Sequence, residues 1–457
     1  MLCFQITWRR LFEVNPTELT PISVFTPNDY PRFTYVNRVV APSLEDRLEQ
    51  ALATPKEVIS ISGPSKSGKS VLIERMVGVD NLITVSGSEI ASTNGLWDRV
   101  LDWMGTPSTQ SISTEQSTTS GKSSVITGSG GIPSVAGGSL SAGTQSSDAD
   151  KKTSAVTHIR GGITQVQREI ANSSYCVLVD DFHYIPRELQ VDVGRQIKTA
   201  AERGIRMIAA SVPHRSDDVV RSNSELRGRT QNIDTEFWAD SELLQIGQLG
   251  FRALNVWIDE SILRALAQNA CGSPQLMQRI CLNICIHLKV TCGYTATRYV
   301  ATEEINLKEV LAITSTSADY KTLLTTMHQG PKARGMERNK YNFIDGSRGD
   351  VYRCILLAIQ QAPPLTTFPY GVLMERVKSV CIGEAPAGRG VTEACSQIST
   401  FAAADRTVEF DTEAEVETFY ISDPYWLFYL RCSPKMTELA KEQHGLVPPP
   451  IMPASNP

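Results

Sequence analysis

The run Gly63-Pro64-Ser65-Lys66-Ser67-Gly68-Lys69-Ser70 sets two glycines with four residues between them, then a lysine and a hydroxyl. Glycine permits a backbone path that turns amide N–H groups inward, where they can cradle phosphate oxygens. A helix starting at this point adds partial positive charge. Lys69 can reach the β- and γ-phosphates of a nucleotide, and the Ser70 hydroxyl can complete a Mg²⁺ shell. This is a full Walker A pattern. Its context fits, with an apolar strand, Val58–Ser62, before it and a helix over 71–77 after it. Gly63, Pro64, Ser65, Lys66, Ser67, Gly68, Lys69, Ser70 and Val71 are therefore the expected nucleotide-binding residues, with Lys69 also acting in phosphoryl transfer.

The matching acid sits at the end of the apolar run Cys176-Val177-Leu178-Val179, which closes on Asp180-Asp181. Asp180 is the expected Mg²⁺ partner with Ser70. Asp181 is the candidate to orient or deprotonate an attacking water, with a plain strand-end cap as its alternative. Asp is shorter than the Glu often found there, so slow hydrolysis is expected. A further strand, over 206–210, leads to Ser211 and Arg215, either of which could sense a γ-phosphate. Arg227 and Arg229 could each reach a γ-phosphate, the chain's own or a neighbour's, or could be ordinary surface arginines. Gly272-Ser273-Pro274 opens a helix, with Pro274 in its favoured first-turn position and expected over the nucleotide.

These residues need strands and helices to hold them. Alternating strand and helix patterns over 41–245 predict a P-loop α/β domain, a parallel sheet flanked by helices. Before it, the Pro-rich residues 1–40 read as an extended arm. A helix over 43–52 begins with Ser43 as cap and Asp46 in the capping-box position. Within the domain, 106–155 is a low-complexity insertion: 27 of the 45 residues 106–150 are Ser, Thr or Gly. Such a segment buries too little apolar surface to order itself. It reads as a flexible linker, or as a loose hairpin ordered by a partner, with Val125, Ile126, Ile132, Val135 and Leu140 as its apolar points. A helix is expected over 157–171. Residues 246–327 read as an all-helical lid, 328–349 as a basic linker, 350–433 as three helices with a hairpin and closing helix in a winged-helix pattern, and 434–457 as a Pro-rich tail.

The chain has 457 residues, with 44 Lys+Arg against 49 Asp+Glu and a net charge of -5. That excludes a generally basic, nucleic-acid-coating protein. No apolar run is long enough for a membrane-spanning helix, and no signal-peptide pattern opens the sequence, so a cytoplasmic location is expected. The cysteines form no CxxC pair; Cys281 and Cys285, at helical spacing, read as buried thiols. Residues 350–432 hold six Lys/Arg and eleven Asp/Glu, and the hairpin carries Glu409, Asp411, Glu413, Glu415 and Glu417. An acidic wing repels phosphates, so a protein contact is expected there rather than DNA. Trp426, Phe428 and Tyr429 read as helix core rather than as a base-stacking platform.

Together these pieces resemble the AAA+ and STAND-type P-loop ATPases over about residues 35–432. Gly63–Ser70 matches their Walker A, Asp180-Asp181 the double acid of STAND proteins, and Gly272-Ser273-Pro274 the Gly-x-Pro of their lid. The C-terminal winged helix is placed as in STAND proteins and Orc/Cdc6-like initiators. Two features depart from these families. Gln275 stands at the initiators' lid-arginine position, and no repeat array follows the winged helix. The resemblance implies ATP and Mg²⁺ as ligands, with ATP between the α/β domain and the lid. It further implies a homo-oligomer or an effector protein as partner. The function expected is a nucleotide-dependent regulatory or signalling switch, in a bacterial defence or conflict setting. The alternatives are a DNA-acting initiator or loader and a nucleotide-binding scaffold without turnover.

Overall fold

A computed structural model describes residues 14–38, 42–106, 111–112, 156–157, 162–212, 228–332, 337–403, 407–412 and 415–443. The chain divides into two compact units. One comprises Val39–Gly63 and Lys69–Thr235; the other comprises the N-terminal arm, Pro64–Gly68 and Glu236 onward.

The first unit is built on five parallel strands: β1 Val58–Ser62, β2 Leu82–Ser86, β3 Cys176–Asp180, β4 Arg206–Ser211 and β5 Thr230–Asp234. Their order across the sheet is β2-β3-β4-β1-β5. All five residues of β1 are buried, as a parallel sheet covered on both faces requires. Five helices supply that cover: α1 Leu44–Ala53, α2 Lys69–Val77, α3 Gly95–Trp103, α4 Gly162–Ile170 and α5 Arg187–Glu202. On one face Val85, Val177, Val179 and Met207 meet Trp97, Val100, Val193 and Ile197. On the other, Ile59, Ile61, Leu178 and Ile208 meet Leu48, Leu72 and Ile73. Odd and even residues of β3 thus go to opposite cores, the period of a strand. The fold class expected from the sequence, a parallel α/β sheet flanked by helices, is the one observed.

The expected capping box is present at α1, where the Ser43 side chain accepts from Asp46 N and the Asp46 side chain accepts from Ser43 N. Two features depart from the expected pattern. The helix expected over 157–171 starts only at Gly162, and Val156–Thr157 is instead a short strand antiparallel to Ser111–Ile112. Thr157 and Val156 are β-branched, which favours that pairing. β5 was not expected at all; its Thr-Gln-Asn-Ile-Asp run buries only Ile233, because it lies on the sheet edge. The apolar points proposed for a hairpin in the insertion lie outside the described residues.

The second unit is largely helical: α6 Asp240–Ala253, α7 Glu260–Asn269, α8 Pro274–His287, α9 Leu307–Ser315, α10 Lys321–Gln329, α11 Val351–Gln360, α12 Tyr370–Val380, α13 Gly388–Phe401, α14 Pro424–Cys432 and α15 Lys435–Gln443. Helical structure thus begins at Asp240, before the expected residue 246, and α15 falls where a tail was expected. The basic segment 328–349 is not a plain linker. It holds Tyr341–Phe343, paired antiparallel with Arg348–Gly349 and Cys381–Ile382. Val408–Asp411 and Thr418–Ile421 pair antiparallel, and Thr367–Pro369 adds a third strand. Trp426 and Phe428 on α14 are buried, as expected of core residues. Arg353 is also buried: its guanidinium donates to Ser347 Oγ at 2.8 Å and to Asp345 Oδ2 at 2.9 Å. His328 Nε2 lies 3.1 Å from it, and burial with Arg353 and Lys435 holds that imidazole down to about 4.

The arm is docked by Phe25, fully buried, with its ring 5.0 Å from Phe251. A Cβ on Gly250 would come 2.2 Å from the Phe25 ring, so glycine is what admits the arm. Phe25→Ala is expected to cost about 3–5 kcal/mol of stability. The check is the urea midpoint of the full chain; an unchanged midpoint would mean the arm contributes nothing to the core.

Candidate nucleotide site

Gly63 follows β1 directly, and its N–H donates to Ser211 O at 3.2 Å. A Cβ there would fall 1.7 Å from Thr235 Oγ1, so no other residue fits. Gly68 has φ +91°, in the left-handed region glycine favours. Both glycines of the motif are therefore required by the backbone. Lys69 opens α2, is buried, and donates from Nζ to Gly63 O at 2.8 Å. Burial lowers its affinity for the proton; the Asp180 and Asp181 charges oppose that.

Ser70 Oγ donates to Asp180 Oδ2 at 2.9 Å. Octahedral Mg²⁺ binds oxygens at ~2.0–2.1 Å, which sets neighbouring ligands about 2.9 Å apart. The two oxygens therefore fit adjacent corners of a magnesium shell, and Ser70 and Asp180 would hold the ion. Magnesium, when bound, neutralises phosphate charge. Asp180 Oδ1 accepts from Asp181 N at 2.9 Å, fixing the carboxylate. Asp181 turns out of the strand with φ 53°. Its carboxyl is held above the ordinary range by burial first and by Asp180 next, with Lys69 opposing.

Ser211 ends β4 and pairs in register with Ser62. Strand β4 lies between β1 and β3, so its end falls between the two motifs. The Ser211 side chain is buried, and its Oγ has no hydrogen-bond partner among the described residues. An orphan hydroxyl at that point suits a ligand oxygen. Arg215 and Arg227 lie outside the described residues. Arg229 is bonded to Glu202 at the surface. Its carbonyl accepts from Val58 N, at the start of β1. Five strand residues, about 16 Å, separate that end from the Walker A end. Arg229 therefore cannot serve its own chain's γ-phosphate, a correction to one of its expected roles.

Residues Pro64–Gly68 group with the helical unit. Trp238 Nε1 donates to Ser67 O at 2.9 Å, and Ser273 Oγ lies 3.4 Å from Lys66 O. Pro274 sits at the first turn of α8, and a Cβ on Gly68 would be 3.9 Å from its ring. Ser273 caps α8 through Leu276 N. Sequence reasoning missed Trp238 and Thr235; neither belongs to a motif, and only packing shows that they hold the loop. It also missed the partner of Lys66: Asp423, the cap of α14, at 3.1 Å. Cys281 and Cys285 are free and buried. No helix among the described residues is long and apolar enough to cross a membrane.

No protein-family profile matches the chain. Among solved structures it is similar to Cdc6p of Pyrobaculum aerophilum, at 11% identity and TM-score 0.41, over 92% of this chain and 98% of that one. It is similar to a Walker-type ATPase of Pyrococcus abyssi, at 12% identity and TM-score 0.44, over 92% and 99%. It is similar to the ORC2 protein of Aeropyrum pernix, in ADPNP–ADP complexes, at 10% identity and TM-score 0.46, over 92% and 97%. These likenesses are weak in sequence and in shape, and the reading of the site rests on this chain's own geometry.

Asp181 gives a pH test. Its raised folded value means the fold favours the protonated carboxyl, so stability is lost as pH climbs from the ordinary carboxylate value through the folded one. Asp181→Asn removes that loss. The variant is expected to resist urea better than wild type at about pH 7 and equally at about pH 3. Identical curves at neutral pH would show that the site does not strain this carboxyl.

Proposed function

We propose that the protein binds ATP with Mg²⁺ and works as a slow, nucleotide-dependent regulatory switch of the AAA+/STAND kind. The observation that carries this reading is the set of buried Lys69, exposed Ser70 and half-buried Asp180 and Asp181, held at or beyond the ends of β1 and β3 beside the orphan Ser211 hydroxyl. The backbone from Gly63 to Ser70 holds the phosphates. Lys69 exchanges its bond to Gly63 O for phosphate oxygens. Asp181 accepts a proton from the attacking water, and its raised proton affinity suits that task.

Residues 350–433 act as a winged-helix module whose position reports the nucleotide state to an effector or to a second copy of the chain. Its acid excess supports a protein partner over DNA. So does Arg338, whose Nη1 is bonded to Asp350 Oδ2 at 2.7 Å and which lies over the Tyr352 ring.

Lys69→Ala is expected to reduce ATP-analogue affinity by at least about 30-fold, because a buried charge-assisted contact to phosphate is worth about 2 kcal/mol or more. Far-UV circular dichroism should stay unchanged. Equal affinity in both proteins overturns the site. Native mass measured with and without ATP analogue reads the switch. ATP-responsive DNA retention with a steep salt slope would favour an initiator or loader instead.

A further inference from the structure

Lys66 stands in the middle of the Walker A loop in a left-handed conformation, φ +61°, that a side-chain-bearing residue adopts only when its surroundings hold it there. Its ammonium lies 3.1 and 3.2 Å from the two carboxylate oxygens of Asp423. It also sits 4.3 Å from the centre of the Tyr425 ring, within cation–π range. Asp423 is only 16% exposed in its side chain. It accepts from Tyr425 N at 2.9 Å as the cap of α14, and from the Tyr320 hydroxyl on the approach to α10. One carboxylate therefore ties the Walker A loop to the start of one helix and to the segment leading into another.

We propose that Lys66–Asp423 is a latch opened by nucleotide: phosphate in the loop and the carboxylate of Asp423 compete for the same ammonium, and each weakens the other. This rests on the nucleotide-binding reading above and names its regulation. A triphosphate brings several negative charges to the loop backbone on which Lys66 sits. Asp423 adds another beside that backbone, so like charges repel across a partly buried gap where screening is poor. Each N–H that Lys66 turns toward phosphate is one it takes from the Asp423 carboxylate. By linkage, whatever factor phosphate takes from the latch, the latch takes from phosphate affinity. Loss of the pair would free the first turn of α14, because the cap residue and the Tyr425 ring are both engaged with Lys66.

Asp423→Asn tests this. Asparagine still caps a helix and still accepts from the Tyr320 hydroxyl, so the variant keeps the fold while losing the charge. With Mg²⁺ present, Asp423→Asn is expected to bind a fluorescent ATP analogue about 5- to 50-fold tighter than wild type, in the range of ordinary coupling between sites. Glu384→Gln, which removes one exposed charge elsewhere, should bind as wild type does. In wild-type protein, added analogue should speed amide exchange over residues 425–427, the first turn of the helix, and in Asp423→Asn the analogue should change that exchange less. Equal or weaker binding by Asp423→Asn, or wild-type amide exchange in that turn that ignores the analogue, overturns the latch. If wild-type protein binds no analogue, the nucleotide reading itself fails, and the two failures are told apart by that one titration.

Discussion

The buried ammonium of Lys69 is the constraint on which the α/β unit depends. An unpaired cation inside a protein costs several kcal/mol, so its neighbours must answer it. Gly63 O takes its hydrogen bond, and the Asp180 and Asp181 charges offset its burial. One cation against two carboxylates leaves the pocket with an excess of negative charge. Burial first, and the Asp180 charge next, make Asp181 hold its proton more tightly than usual. A divalent ion held by Ser70 and Asp180 would offset that excess.

Strand order makes this possible. β1 and β3 are not neighbours; β4 runs between them and delivers Ser211 to the gap. The lysine, the acids and the hydroxyl come from three strands whose carboxyl ends lie on one edge, where parallel sheets place their ligands. Packing on both faces holds those ends in place, because every residue of β1 is buried. Thr235 then closes on Gly63 and fixes where the loop begins.

Much of this was legible in the sequence because it is local. Glycines, lysine and hydroxyl follow one another within eight residues, and Asp180 ends a run that can only be a buried strand. Periodicity showed the helices that cover the sheet. What was not legible depends on distant partners. β5 carries a single buried residue and no apolar pattern, so its pairing to β1 decides its form. Tyr341–Phe343 is three residues long and sits in a polar, basic stretch, yet pairs with strands on both sides. Arg229 looked free to reach a phosphate; the register of β5 puts it at the other end of the sheet. Asp423 lies 357 residues from Lys66, a distance no motif spans.

The turn at Asp181 explains a choice of amino acid. Its backbone is left-handed, and among residues with a side chain Asp and Asn enter that region most readily. A longer acid such as glutamate would meet backbone resistance at this corner. The shortened arm of the catalytic candidate therefore follows from the geometry of the bend after β3, so the slow turnover proposed for the site and the tight turn would share a single residue choice.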